Sequence, residues 1–180
     1  SAQDEAELLA KNMNRVTDTC IPEDKAFRKI ESFLMDRWKK CSDLEQSKLP
    51  HQFFYDILLE DELEYQAKPE NSWLLAAAQT NLPLVVPGWE DSTLGNIFAA
   101  RVMQGKIDQQ TIVGGIGYMT ELAEWYSQCT HRLAFLQLGG GTAGDFPICV
   151  VPMLNQDLER ETPLWSWFCQ ISESTPSFGG

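Results

Sequence analysis

Histidine is scarce in this chain: only His51 and His131 occur in 180 residues. A His-rich metal centre is excluded, and neither histidine stands in a Cys/His/Asp grouping, so no metal site is expected. The five cysteines, Cys20, Cys41, Cys129, Cys149 and Cys169, are odd in number and widely spaced, with no CxxC pair. That argues against a zinc ribbon or a disulfide framework and fits a reducing cytosol. Basic residues are few as well. Fourteen Lys and Arg stand against 26 Asp and Glu, for a net charge of −12. A nucleic-acid backbone or an anionic membrane requires clustered Lys and Arg, so neither is an expected partner. A cationic small molecule is compatible with the charge, and so is plain solubility. No apolar run reaches transmembrane length, no signal-peptide pattern opens the sequence, and no internal repeat or low-complexity tract is seen. The expected localisation is cytoplasmic.

What is present is an ordinary globular composition, 43% hydrophobic and 22% charged, long enough for one domain with a real core. The most informative run is Leu133 to Met153. Leu133–Leu138 has the length and bulk of a buried strand. Gly139-Gly140-Gly141 breaks it, and after Thr142-Ala143-Gly144-Asp145 an apolar segment reads as a helix with Pro147 in its first turn and Pro152 at its end or kink. Strand, glycine turn and helix start are the parts with which α/β proteins bring backbone N–H groups to a phosphate. Taken alone, the run fits a bare tight turn equally well.

Around it the sequence predicts a short helix from Ser1 to Asn14, a loop over Asn14–Thr19, and a helix from Pro22 to about Lys40. Further helices are predicted from Pro50, from Ser72 through Ala78, over Leu94–Met103, and within Thr111–Gln128. Two more apolar runs, Leu82–Val86 and Leu164–Ile171, read as strands. Strands separated by helices imply a parallel sheet. In such sheets ligands bind beyond the C-terminal strand ends. Those ends carry Glu90-Asp91-Ser92-Thr93, then Gly139-Gly140-Gly141 with Asp145, then Ser172-Glu173-Ser174-Thr175 and Gly179-Gly180. Glycine turns suit a pyrophosphate, a strand-end carboxylate suits a ribose diol, and the surplus acids make sense if a polycation also enters. For each acid alone, helix N-capping is the competing role, and Asp91 and Asp145 both stand where caps are expected.

Three motifs carry a resemblance: Pro87-Gly88-Trp89-Glu90-Asp91-Ser92-Thr93-Leu94-Gly95-Asn96, Gly139-Gly140-Gly141 with Asp145-Phe146-Pro147, and Cys169-Gln170-Ile171-Ser172-Glu173-Ser174-Thr175. Together with Asn14-Arg15-Val16 and the Ile21-Pro22 helix start, they resemble the deoxyhypusine synthase family, closest to its bacterial deoxyhypusine synthase-like branch. The resemblance implies an α/β, Rossmann-like parallel sheet with helices on both faces, NAD as cofactor, spermidine as substrate, and a homotetramer. The implied reaction transfers the aminobutyl group of spermidine to an acceptor amine, a protein lysine or a small amine such as putrescine. By motif, Asp91, Gly140, Glu173 and Ser174 fall at NAD-contacting positions. Asn96, Asp145 and Gly179 fall at polyamine-contacting positions. Asn96 stands where the translation-factor-modifying synthases carry Asp, and Asp145 where they carry His.

The family's N-terminal NAD-contacting portion and its Trp-Gly-Lys nucleophile match nothing in this sequence. Residues 1–180 are therefore expected to form one partial domain, an interior portion of a longer enzyme, with no catalytic residue of its own. A non-catalytic NAD or polyamine binder and a purely structural scaffold are the competing expectations.

Overall fold

The computed structural model describes residues 5–16, 18–60, 63–65 and 67–172. A short helix α1 (Glu5–Ala10) leads into strands β1 (Met13–Val16) and β2 (Thr19–Pro22), which pair antiparallel with Met13 opposite Pro22. The predicted helix thus ends early. Asn12 adopts φ +56°, the left-handed conformation in which Asn commonly terminates a helix. Asn14–Val16, expected to be a loop, forms half of a hairpin instead.

A wide helical turn, Glu23–Arg28, feeds α2 (Lys29–Asp43). α3 (Pro50–Leu59) starts with proline in its first turn, and α4 (Trp73–Gln79) starts on Ser72, whose hydroxyl accepts from the Leu75 N–H at 3.2 Å. α5 (Thr93–Met103) and α6 (Gly115–Gln128) follow. The main core lies where α2, α3 and α5 meet, around Leu34, Trp38, Phe53, Ile57, Ile97 and Phe98. A second core, Ala123, Tyr126, Val150, Val151 and Leu154, packs α6 against the segment after the glycine turn.

Leu82–Val86 is not a strand. Pro83 and Pro87 have no N–H to give a ladder, which keeps such a segment out of a sheet interior. It lies against α3 and α4: Tyr55 donates its hydroxyl to the Leu82 carbonyl at 2.9 Å, and Leu84 packs on Tyr55, Ala77 and Ala78. The other two strands do form. β3 (Ala134–Leu138) and β4 (Trp167–Ile171) pair parallel, Ala134 opposite Trp167 and Leu138 opposite Ile171. Between them run α7 (Thr142–Ile148), α8 (Val150–Pro152) and a wide turn, Met153–Asp157. This is a strand–helix–strand crossover, and the architecture is mixed α/β. Pro147 falls inside α7 rather than in its first turn, because the helix already begins at Thr142.

One buried ion cluster ties α2 to α5. The Glu31 carboxylate accepts from Arg28 Nη1 at 2.6 Å and from Arg101 Nε at 2.9 Å. Burial raises its pKa, but the two guanidinium hydrogen bonds outweigh this and leave it below its ordinary 4.5. His51, also buried, is pushed below its ordinary 6.5 by desolvation. Both shifts act in one direction. Where the unfolded chain binds more protons than the folded one, stability rises with pH. Stability is therefore expected to fall in two stages on acidification, first below 6.5 as His51 is lost and again below 4.5 as Glu31 is lost. Urea midpoints measured across this range test it. A flat profile from pH 7 down to about 5 contradicts the His51 assignment.

Candidate functional site

The glycine turn is built by the strand pairing. The Gly139 N–H donates to the Ile171 carbonyl at 2.8 Å, which extends the β3–β4 ladder by one residue. The Gly139 carbonyl accepts from Gln137 Nε2 and Gln170 Nε2, each at 3.1 Å. Gly139 (φ +85°) and Gly141 (φ +76°) both require left-handed backbone, where a side chain is strained. A Cβ on either would meet open space, so the turn is bare on its outer side. Gly140 between them is exposed. The N–H groups of Gly144 and Asp145 then fold back to the Gly141 carbonyl at 2.9 and 3.0 Å and start α7.

Neither carboxylate is a helix cap. The cap of α5 is Ser92, whose Oγ accepts from the Gly95 N–H at 3.0 Å. The cap of α7 is Gly141, which has no side chain to offer. Asp91 precedes the Ser92 cap at the end of a single turn, Trp89–Asp91, and Asp145 is the fourth residue of α7. Both are exposed, and among the described residues neither carboxylate forms an ion pair or a side-chain hydrogen bond. The capping role expected as an alternative is therefore overturned for both.

The two helix starts share a pattern that sequence reading missed. Thr93-Leu94-Gly95-Asn96 and Thr142-Ala143-Gly144-Asp145 each open a helix, with Gly third and an amide or carboxylate fourth. In each, the glycine is buried because something presses on it. A Cβ at Gly95 would stand 2.6 Å from the Trp89 carbonyl oxygen; one at Gly144 would stand 2.2 Å from Gln137 Nε2. The T-x-G-[ND] string was legible, but four residues are too short a repeat to trust without the coordinates.

The two starts are not brought into one pocket among the described residues. Asn96, its Nδ2 donating to the Ser92 carbonyl at 3.0 Å, lines a groove of about 650 Å³ with Thr93, Ile97, Ala100, Arg28 and Arg101. Those two arginines are engaged by Glu31, and Arg28 also by Glu23 at 2.5 Å, so the groove is not the acidic surface expected around a polyamine contact. Gly140 and Asp145 lie at the other start. Glu173, Ser174 and Gly179 lie outside the described residues.

A buried pair, His51 and Tyr118, was also not anticipated; 67 residues separate them, and no sequence signal joins them. The Tyr118 hydroxyl accepts from the His51 backbone N–H at 3.1 Å and lies 3.0 Å from Nδ1. The direction of the second bond follows the imidazole tautomer, because the hydroxyl can both donate and accept. Burial pushes the Tyr118 hydroxyl up to about 12. The pair lines a cavity of about 620 Å³ with Leu84, Glu121, Trp125 and Gln128. Among the described residues no group of three His, Cys, Asp or Glu is arranged to hold a metal ion. No helix there is long and apolar enough to cross a membrane.

Comparison with known proteins gives a consistent result. A match to the family described as Deoxyhypusine synthase covers residues 1–179. A relative from Methanosarcina mazei, named Probable deoxyhypusine synthase 2, is 25% identical over 182 aligned residues. A relative of the same name from Methanosarcina acetivorans is 26% identical over 182. Each alignment takes in 99% of this chain and 49% of the relative, so the chain spans about half the length of the curated relatives it matches.

Proposed function

We propose, since this chain belongs to the deoxyhypusine synthase family, that it is the NAD- and polyamine-binding portion of an aminobutyltransferase. The donor is spermidine and the acceptor is an amine, either a protein lysine or a small amine such as putrescine. One observation of the molecule carries the reading: Asp91 and Asp145, at two helix starts of the same pattern, cap nothing and pair with nothing among the described residues. Carboxylates held exposed and uncommitted are what a ribose diol and an ammonium group require.

The residues present fit the cofactor. The Gly139–Gly141 turn has no Cβ to hold a ligand off, and Asp91 has free acceptor oxygens for ribose hydroxyls. The redox chemistry, removal of hydride from spermidine and its later return, belongs to the nicotinamide. This chain's residues bind and orient. Asp91 fixes the ribose, Gly140 admits the dinucleotide backbone, and Glu173 and Ser174 complete the cofactor contacts. Asp145 holds one ammonium of spermidine, with Gly179 along the polyamine; Asn96 adds its side-chain carbonyl there, the two arginines of its groove being engaged by Glu23 and Glu31.

In the whole protein, residues 1–180 form one partial domain, and β3–β4 belong to a larger Rossmann-like parallel sheet with helices on both faces. The sheet itself supports this. Leu136 (59% exposed), Leu138 (74%), Trp167 (55%) and Ile171 (62%) stand bare on one face, whereas parallel sheets are covered on both. The enzyme is a cytoplasmic homotetramer, and it binds neither nucleic acid nor membrane; the net charge of −12 supports the second point.

The full-length protein given NAD and spermidine is expected to release 1,3-diaminopropane. Binding of both ligands without any diaminopropane or NADH defines a non-catalytic binder and rejects the transferase. Asp91→Ala should weaken NAD binding about tenfold or more, and Asp145→Asn should do the same for spermidine, as for a lost hydrogen bond to a charged group. Because Asp145 caps nothing, Asp145→Asn should leave stability within about 0.5 kcal/mol. Spermidine affinity that survives it removes Asp145 from the site.

A further inference from the structure

We propose that a cleft at the N-terminal ends of β3 and β4 is a binding site for a phosphate group, gripped by Arg132 and Arg160. The cleft holds about 360 Å³, and its wall includes His131, Thr130, Ser166 and Glu161 beside the two arginines. It lies at the far end of the strands from the glycine turn, about 16 Å away along five residues of β3.

The arginine inventory singles it out. The chain has six arginines. Four are committed to carboxylates: Arg15 to Glu5, Arg28 to Glu23 and Glu31, Arg37 to Glu60, and Arg101 to Glu31. Among the described residues only Arg132 and Arg160 form no ion pair, and both line this one cleft. In a chain with 26 acids, leaving two guanidiniums of one cleft without an ion pair among the described residues is a departure from the other four arginines. Guanidinium is the side-chain group best matched to phosphate, because its planar fork donates two parallel bonds. The cleft is also lined by Thr130 and Ser166, whose hydroxyls form no hydrogen bond among the described residues and stand available as further donors.

The backbone around the cleft is also preformed. The Arg160 N–H donates to the Leu154 carbonyl at 2.9 Å. The Thr162 N–H donates to Asn155 Oδ1 at 3.0 Å, and Asn155 Nδ2 returns a bond to the Thr162 carbonyl at 3.2 Å. The Pro163 carbonyl accepts from the buried Tyr126 hydroxyl at 2.8 Å, and the Ser166 N–H donates to the Leu133 carbonyl at 2.8 Å. The segment bearing Arg160 is thus pinned to both α6 and the turn after α8, so a ligand need order the two arginine side chains but not the backbone that carries them. The volume exceeds that of a phosphate ion alone, and Leu133, Pro163 and Tyr126 supply apolar wall for the organic part of a phosphomonoester.

The test is calorimetric titration of the full-length protein with inorganic phosphate at low ionic strength. Saturable binding of one equivalent per chain is expected. Arg132→Gln and Arg160→Gln should each weaken it about tenfold or more, with near-UV circular dichroism unchanged. Glu161→Gln, which removes the one carboxylate of the wall, should tighten it. Saturating NAD should leave it unaltered, because the cleft is at the opposite end of the strands from the glycine turn. The proposal is overturned by phosphate affinity that survives both arginine changes, by competition from NAD, by succinate binding as tightly as phosphate, or by no saturable binding at all.

Discussion

Replacing Trp38 by Ala is expected to cost about 3 kcal/mol of folding stability, read as a drop in the urea midpoint at unchanged m-value. Trp38 is 1% exposed and sits at the junction of α2, α3 and α5. Its ring meets Phe98 edge-on, with centroids 5.1 Å apart at 83°, and Phe98 in turn meets Trp89 at 6.0 Å. Truncation of a buried Trp removes a large apolar volume that these rings cannot fill, and such changes cost about 3–5 kcal/mol. One term works the other way. Trp38 Nε1 is buried without a hydrogen-bond partner among the described residues, a defect that the alanine removes. The expected loss therefore falls at the lower end. Trp38→Phe separates the two contributions: it keeps most of the ring and removes the orphan donor, so its cost should stay below about 1.5 kcal/mol. A phenylalanine variant as unstable as the alanine variant contradicts this account.

The consequence reaches the candidate site through one chain of contacts. Trp38 holds Phe98, Phe98 is on α5, and the first turn of α5 packs on the Trp89–Asp91 turn. Loss of the ring loosens the platform on which Asp91 and Asn96 stand. Cofactor affinity in the full-length protein should fall along with stability.

Much of this was legible in the sequence. α3, α4 and α5 announce themselves through Pro50, through the Ser72 cap, and through apolar residues at helical spacing. β3 and β4 were plain as short apolar runs. Leu82–Val86 has the composition of a strand, but Pro83 within it and Pro87 directly after it bar it from a ladder. The β1–β2 hairpin was missed because its residues, Asn14 and Arg15 among them, are polar and pair mainly through backbone. The site was legible one residue at a time. Asp91 and Asp145 looked like caps because acids before helices often are; only the coordinates show Ser92 and Gly141 in those places. No periodicity encodes His51–Tyr118, Glu31–Arg101 or the Arg132–Arg160 cleft. Each joins residues far apart in the chain, and pairing at that range is decided by packing.

Gly95→Ala should be the most damaging conservative change near the site, with an expected loss of about 3 kcal/mol, the upper end for an inserted methyl group in a packed region. Alanine is normally the better helix former, by about 1 kcal/mol over glycine, so propensity alone predicts a gain. Geometry decides against it. The added Cβ would lie 2.6 Å from the Trp89 carbonyl oxygen, 2.8 Å from the Glu90 carbonyl oxygen and 3.0 Å from the Glu90 Cα. All three are backbone atoms of the turn that carries Asp91, so no side chain can swing aside; either α5 or the turn must shift. Gly144→Ala, at the matching position of the second helix start, is the control. There the Cβ meets the Gln137 side chain, whose Nε2 lies 2.2 Å away and can rotate at the expense of its bond to the Gly139 carbonyl. That loss should be about 1 kcal/mol, the worth of one hydrogen bond. Equal losses at the two positions, measured by urea denaturation, would show that the backbone contact at Gly95 is no more rigid than the side-chain contact at Gly144. The Gly95 variant should also lose NAD affinity in the full-length protein, because the turn that must move ends on Asp91.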